Sequence, residues 1–483
     1  MENKKYDCIV IGAGISGLLT ANLLAHKGKK VLVLEKNNYA GGYFARFKPA
    51  DYEMDYAVSY FLGVEDNSTL SRFLKDIQLP DSLEFVKVPV ADHYIFPDLE
   101  FELKSDYDSL KGDLCALFPH EAKGVGTFFD VLKYVYYSFL KLKSSKAMSE
   151  DVLMRPYLMK SYAVYLDDLF TDKRLKAILS ARVFGSNVSM ITMVSYLGKL
   201  IFEGLFQEKN NQSITRALTN SLQAMGADIV YNSLVESVIV EDNYCKSVIA
   251  DNLEYEADFV ISTCDMTNMF CSMITPQAPD KIRERLQNRP KSLSSISLYL
   301  VMSSLPGKIK NIQASRIYLF SDYDIVENYK RKEQGILDVQ NGIKINIQNI
   351  MDPDFKHKTA YVMRAEIDTS YITPIIAGDK ENITQQIIGV LEDRLQINRK
   401  YILESTIFFP EDFARMTLSS MGAASGWAPD SSFTDFSNFQ TGIAHNFFQV
   451  GCWDKYGSGI FPIFLSAKEA VNKLIKEKLT INY

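Results

Sequence analysis

Up to Glu35 the chain is written in short apolar runs around one longer helical repeat. Tyr6-Asp7-Cys8-Ile9-Val10-Ile11 reads as a buried parallel strand. Leu18, Leu19, Ala21, Leu23, Leu24 and Ala25 then recur at helical spacing from about Ile15 to Lys27. Gly28 follows, a residue type that tolerates a left-handed cap. Val31-Leu32-Val33-Leu34 is a second strand. The same order returns late in the chain: Asn446-Phe447-Phe448-Gln449-Val450-Gly451 as a strand, Cys452 to Pro462 as a glycine-containing turn, and Ile463 to about Lys476 as a helix. Between them the pattern predicts a helix from Ile214 towards Gly226. Strands follow at Leu234–Val240, Ser247–Ile249, Ala257–Ser262, Ser294–Val301, Arg316–Phe320 and Thr359–Ile367. Helical patterns occur within about Ser68–Met190, while Ser321–Gln334 and Asp338–Asn341 look loop-rich.

The first turn carries chemistry. Gly12-Ala13-Gly14-Ile15-Ser16-Gly17 joins the first strand to the first helix. Gly12 permits a tight turn, Gly14 lets a pyrophosphate approach the backbone where a Cβ would intrude, and Gly17 lets the helix pack close to the strand. The helix N-terminus offers free N–H groups and a positive dipole end to phosphate. Glu35, closing the second strand, is placed to accept hydrogen bonds from ribose hydroxyls, and its carboxylate disfavours a 2′-phosphate. Strand, glycine turn, helix and terminal acid in register predict a dinucleotide-binding unit.

Composition narrows the classes. The 483 residues carry a formal net charge of −6, which argues against a general nucleic-acid binder. Six scattered cysteines form no CxxC pair or zinc spacing, so reduced thiols and no metal are expected. No apolar run is long enough to predict a membrane span, and the first strand starts almost at the N-terminus, which leads to the expectation of a cytoplasmic protein. Aromatic residues make up 12%, almost all Phe and Tyr. A large core and a lined apolar cavity both fit that load. The stretch Phe128–Lys143 is dense in aromatics, with Lys133, Lys141 and Lys143 among them. It reads either as a core helix with a solvated lysine edge or as an amphipathic helix resting on a membrane surface or a lipophilic tunnel.

Beyond Glu35 the chain runs Lys36-Asn37-Asn38-Tyr39-Ala40-Gly41-Gly42-Tyr43-Phe44-Ala45-Arg46. The glycine doublet and arginine after a dinucleotide turn resemble the signature of the FAD-dependent amine oxidase superfamily. The ordered set of blocks resembles its phytoene desaturase, carotenoid isomerase and retinol saturase family. Those blocks are Tyr52–Gly63, the Ile214 helix with its following strands, Phe409–Phe413, Gly422–Trp427 and the C-terminal return. The resemblance implies an α/β fold: a discontinuous Rossmann-type FAD-binding domain from 1–67, 206–275 and 426–483, a mixed α+β substrate domain at 276–425, and a helical part at 68–205. It further implies FAD contacts at Gly12, Gly14, Ser16, Gly17, Glu35, Lys36, Gly42, Arg46, Val235, Gly451, Ser458, Gly459, Ile460 and Phe461. Tyr56, Ser59, Tyr60 and Trp427 are the candidates for the flavin's substrate face. Ala57, Asn210-Asn211-Gln212, Cys452 and Ala467 depart from the family pattern, which points to an outlying branch.

The implied activity is desaturation, saturation or isomerisation of an extended apolar chain such as a polyene, isoprenoid or polyketide. Its partner is a lipophilic small molecule, with peripheral membrane contact as an option. The flavin carries the redox step and the protein positions a substrate C–H about 3–3.5 Å from the reacting atom. None of the five histidines, nor any Ser/His/Asp order, marks a catalytic acid or base. Two alternatives remain: an amine-oxidase-like enzyme, for which no flavin-side lysine is evident, and a non-catalytic prenyl-binding escort protein, against which Gly17 and Glu35 speak.

Overall fold

A computed structural model describes residues 5–48, 53–58, 60–66, 68–79, 83–141, 160–209, 213–347, 360–373, 379–429 and 443–481. Its first sheet is assembled from distant parts of the chain. Tyr6–Ile11 lies at the centre, flanked in parallel by Val31–Leu34 on one side and by Leu253–Ser262 on the other. Asp228–Val230 extends the sheet beyond Val31–Leu34, and Phe447–Gln449 pairs parallel with Val260–Ser262. Cys8, Ile9 and Val10 are fully buried, which suits a strand covered on both faces.

Leu253–Ser262 serves two sheets at once. Its first residues close an antiparallel meander with Tyr244–Ala250 and Val235–Glu241, while Ala257–Ser262 join the parallel sheet. The two hairpin turns are Asp242-Asn243 and Asp251-Asn252, all four residues with positive φ between 48° and 62°. Two consecutive left-handed residues give the turn whose twist matches flanking strands, and Asp and Asn tolerate that conformation best after glycine.

The helix Ile15–His26 is buried on nearly every side, packed between Ile214–Ala224 and the C-terminal helix Ile460–Ile481. Asn22 reaches across it and donates to the Leu218 carbonyl at 3.1 Å.

The second sheet has seven strands in the order Ile402–Phe408, Ser294–Met302, Tyr361–Thr369, Ile343–Ile347, Ala314–Leu319, Val90–Ile95 and Glu100–Lys104. Every residue of Ser294–Met302 is buried. The strands expected near 294, 316 and 359 are therefore present. Two sequence readings are corrected. Phe85–Val88, Val90–Ile95 and Glu100–Lys104 are strands inside the region where only helical patterns are expected. The alternation of exposed Glu100 and Glu102 with buried Phe101 and Leu103 is the period that a helical reading overlooks. Within the stretch read as loop, Ile325–Glu333 is a helix with Ile325, Tyr329 and Lys332 buried along one face.

A layer of helices covers one face of this sheet. Ala122–Lys141 packs on Met190–Glu203, and Gly198 allows the close crossing, because a Cβ there would lie 2.4 Å from the Tyr136 ring. Phe128, Phe129, Leu132, Val135 and Tyr136 are buried, whereas Tyr134 and Tyr137 face out at 43% and 44% exposure. The aromatic helix is thus first of all a core helix. Among the described residues no helix is long and apolar enough to cross a membrane, and all six cysteines are free of disulfides.

Candidate functional site: a dinucleotide cradle opening into a buried arginine pocket

The glycine turn is built around three close approaches. Gly12 sits at φ +99° and donates to the Leu34 carbonyl at 2.8 Å, tying the turn to the second strand. A Cβ on Gly17 would lie 1.9 Å from the Gly12 carbonyl oxygen, so the helix and the turn touch backbone to backbone. Gly14 differs from both: its φ of −66° is open to any residue, and a Cβ there would meet no protein atom within 4 Å. The space above Gly14 is a cavity wall.

Glu35 is buried at the edge of that wall. Its carboxylate accepts the Ala13 N–H at 2.8 Å and the Asn37 N–H at 2.9 Å, which fixes it beside the turn with lone pairs to spare. Lys36 donates to Asn37 Oδ1 and to the Arg415 carbonyl; burial lowers its pKa against the opposing effect of Glu35. The doublet Gly41-Gly42 runs alongside, with the Gly41 N–H on the Ala13 carbonyl at 2.8 Å and a Cβ of Gly42 only 3.4 Å from Gly14 Cα.

The C-terminal return closes the cradle from the other side. Val450 donates to the Ser262 carbonyl, and Gly451, at φ +111°, lies so near Ser16 that a Cβ would be 2.8 Å from Ser16 Oγ. Ser466 donates to Asp454 at 2.6 Å and holds the turn before Ile460–Ile481. Gly12, Gly14, Ser16, Glu35, Lys36, Gly42, Val235, Ser458, Gly459, Ile460 and Phe461 all line one cavity of about 690 Å³, together with Tyr60 and Trp427. A pocket of that size, with a glycine wall, an anchored acid and a helix N-terminus, fits a dinucleotide.

The other expected residues are tied to partners of their own. Gly17 and Gly451 support the wall from behind. Arg46 points into a carboxylate cluster, 2.6 Å from Asp55 and 2.9 Å from Glu208, and pins the glycine doublet to the neighbouring strands. Burial still pushes the Glu208 carboxyl up to about 7 despite Arg46 beside it. Tyr56 belongs to an aromatic cluster with Phe47, Tyr299 and Phe408, and its carbonyl accepts from Tyr299 and Arg364. Trp427 packs edge-on against Trp453 and donates to its carbonyl at 2.8 Å. Ser59 lies outside the described residues.

At the far end the cavity meets groups with no motif to announce them. Arg182 and Asp92 are essentially inaccessible, and Arg182 Nε and Nη2 grip both oxygens of Asp92. Tyr94 adds a hydrogen bond to the same carboxylate at 2.9 Å. Arg182 also donates to the Tyr196 hydroxyl, which lies 2.8 Å from the Tyr60 hydroxyl, and Arg316 Nη2 reaches Tyr60 at 3.3 Å. Lys199 lines the same cavity 3.7 Å from the Phe461 ring centroid, with its pKa down to about 8 through burial. Ala91 to Ile95 are all buried, so no alternation in the sequence marks Asp92 or this cluster.

Fold and cradle together define a Rossmann-type dinucleotide-binding unit joined to a second sheet that lines the same cavity. A family model for the NAD(P)-binding Rossmann-like domain matches residues 10–77. The chain is similar to prolycopene isomerase 2, chloroplastic, of an Oncidium hybrid cultivar: 26% identical over 321 residues, 61% of this chain and 54% of that protein. The chain thus spans about half the length of that relative. It is 24% identical over 511 residues to the 1-hydroxycarotenoid 3,4-desaturase of Flavobacterium sp. strain P99-3, covering 95% of this chain and 97% of that protein. Among solved structures, a variant of putrescine oxidase matches with a TM-score of 0.69 at 14% identity, over 98% of this chain and 99% of that one. The sequence relatives carry names of carotenoid isomerisation and desaturation, in line with the motif order, and the fold is shared with putrescine oxidase.

Proposed function

We propose that the chain is an FAD-dependent oxidoreductase that desaturates, saturates or isomerises an extended apolar substrate of the polyene or isoprenoid class. The observation that carries the reading is the continuity of one cavity from the Gly14 and Glu35 wall, past the apolar and aromatic Tyr60, Phe61, Phe184, Ile191 and Trp427, to the polar end formed by the second sheet. The sequence kinship with proteins named for carotenoid chemistry supports it. On this reading segments 1–67, 206–275 and 426–483 hold the dinucleotide, and 68–205 and 276–425 shape the substrate space.

Gly14 and Ser16 would face the diphosphate, Glu35 a ribose, and Ser458 to Phe461 the flavin end. FAD, when bound, supplies hydride exchange with a substrate carbon. The chain's own residues orient the substrate and exclude water: Tyr60, Trp427 and Phe461 border the space, and the hydrogen-bonded Tyr60–Tyr196 pair closes its inner wall. Replacement of Glu35 by Gln presents an amide donor to the Ala13 or Asn37 N–H. It is expected to weaken FAD binding by about tenfold, measured by equilibrium dialysis.

The direct test is product analysis with FAD-loaded protein, flavin oxidised or reduced, offered poly-cis and all-trans carotenoids. The expected result is a polyene altered by two hydrogens or in double-bond geometry, dependent on FAD. One observation favours an amine-oxidase reading: buried Lys199, seated over Phe461. Peroxide release from amines, with every polyene returned unchanged, would establish that reading instead.

A further inference from the structure

The buried cluster at the inner end of the cavity is not electrically balanced. Among the described residues Asp92 is its only carboxylate, and Arg182 holds both of that carboxylate's oxygens. Arg316 lies within ion-pair distance of the same acid through Nε at 3.6 Å, so two guanidiniums share one carboxylate, and its hydrogen bond goes to the Tyr60 hydroxyl. The other cations on this part of the wall each have an acid within reach: Lys199 has Glu203 at 3.5 Å, Lys344 has Asp368 at 2.6 Å, and Arg364 has Glu366 at 3.5 Å. Arg316 has none of its own, yet its side chain is only 13% exposed.

A buried guanidinium without a full counter-charge is costly unless something completes it. Arg316 is held in place by stacking, 4.5 Å from the Tyr60 ring centroid and 5.3 Å from that of Tyr318, so it is a rigid group facing into the cavity. Although burial acts to raise it, Arg316 and Arg182 hold the Tyr60 hydroxyl below its ordinary pKa, a sign of strong positive potential at this spot. A planar guanidinium matches a carboxylate in two parallel hydrogen bonds. A single uncompensated positive charge balances one such group, whereas a diphosphate would bring more charge than Arg316 alone can answer.

We infer that Arg316, with the Tyr60 hydroxyl, is a recognition site for the terminal carboxylate of an otherwise apolar substrate. The enzyme's preferred ligands are then polyene acids rather than hydrocarbons. The inference rests on the proposed function and sharpens its substrate class. It also explains why a pocket for a lipophilic chain should end on two arginines.

The test uses the full-length, FAD-loaded protein titrated with all-trans-retinoic acid and with its methyl ester, followed by quenching of protein fluorescence. The acid is expected to bind about ten- to a hundredfold more tightly than the ester. Arg316→Gln is expected to abolish that preference while leaving ester affinity within about twofold, and Arg316→Lys to restore part of it. Flavin content and unfolding midpoint confirm the fold of each variant; if Arg316→Gln fails to fold, the wild-type acid-to-ester ratio and Arg316→Lys decide. Equal binding of acid and ester by the wild type, or a preference that survives Arg316→Gln, overturns the inference and leaves the polyene reading standing. Failure of both probes to bind a protein that does hold FAD overturns the polyene reading and the inference with it.

Discussion

Gly14→Ala is expected to leave the protein folded and to strip it of FAD. The backbone at Gly14 is extended, a conformation alanine adopts without strain, and the new methyl group would meet no protein atom within 4 Å. Nothing in the folded chain resists it. The methyl would instead project into the cavity at the helix N-terminus, where a diphosphate must approach the backbone. A loss of FAD affinity of about a hundredfold, or ~2.8 kcal/mol, is expected by equilibrium dialysis, with the unfolding midpoint of the apoprotein unchanged. Gly17→Ala should behave in the opposite way. Its Cβ would collide with the Gly12 carbonyl at 1.9 Å, and neither backbone can yield, so the apoprotein itself should lose stability. If both variants kept FAD, the cavity above Gly14 would not be its diphosphate site.

Arg182→Met is expected to be the most destabilising single change in the inner cluster. It removes the bidentate partner of an acid that has no solvent contact and leaves Arg316, 3.6 Å away, as the nearest cation. Breaking a buried pair from one side costs about 3–5 kcal/mol, and the loss should appear as a lower urea midpoint at unchanged slope. Arg316→Met provides the contrast. Because Arg316 has no carboxylate of its own, its replacement should change stability by about 1 kcal/mol or less. Equal costs for the two variants would mean that Asp92 is shared equally between the arginines.

The parts of the site that were legible in the sequence are those made by local backbone geometry. Gly12, Gly14 and Gly17 act through φ and through missing side chains, and their effect depends on spacing along one strand, turn and helix. Glu35 is fixed by the same strand register, and the late glycine turn announces itself in the same way. Gly12, Gly14, Glu35 and the late turn meet at one cavity, with Gly17 supporting its wall from behind. The inner cluster was illegible for the opposite reason. Asp92, Arg182, Tyr196 and Arg316 come from two strands, a helix and the turn before it, and each alone looks like an ordinary charged or polar residue. The strands at 85–104 lie within a stretch that also contains helical patterns, which hides Asp92's inward face. Arg46 and Tyr56 show the limit of position within a motif. Arg46 is drawn to Asp55 and Glu208, and Tyr56 to Phe47 and Phe408, by neighbours that sequence order does not reveal. The aromatic load divides likewise: some lines the cavity, as Tyr60, Phe461 and Trp427 do, and much of it is core, as in Phe128, Phe129 and Tyr136.

The central claim is that one cavity holds a dinucleotide and a lipophilic chain in contact. Titrating FAD-loaded protein with a polyene under anaerobic conditions, while recording the flavin absorption spectrum, tests it most directly. The account predicts a saturable shift of the flavin bands at one polyene per bound FAD, lost in Arg182→Met if its inner pocket collapses. Stoichiometric polyene binding with an unperturbed flavin spectrum would contradict it, because the two ligands would then occupy separate sites.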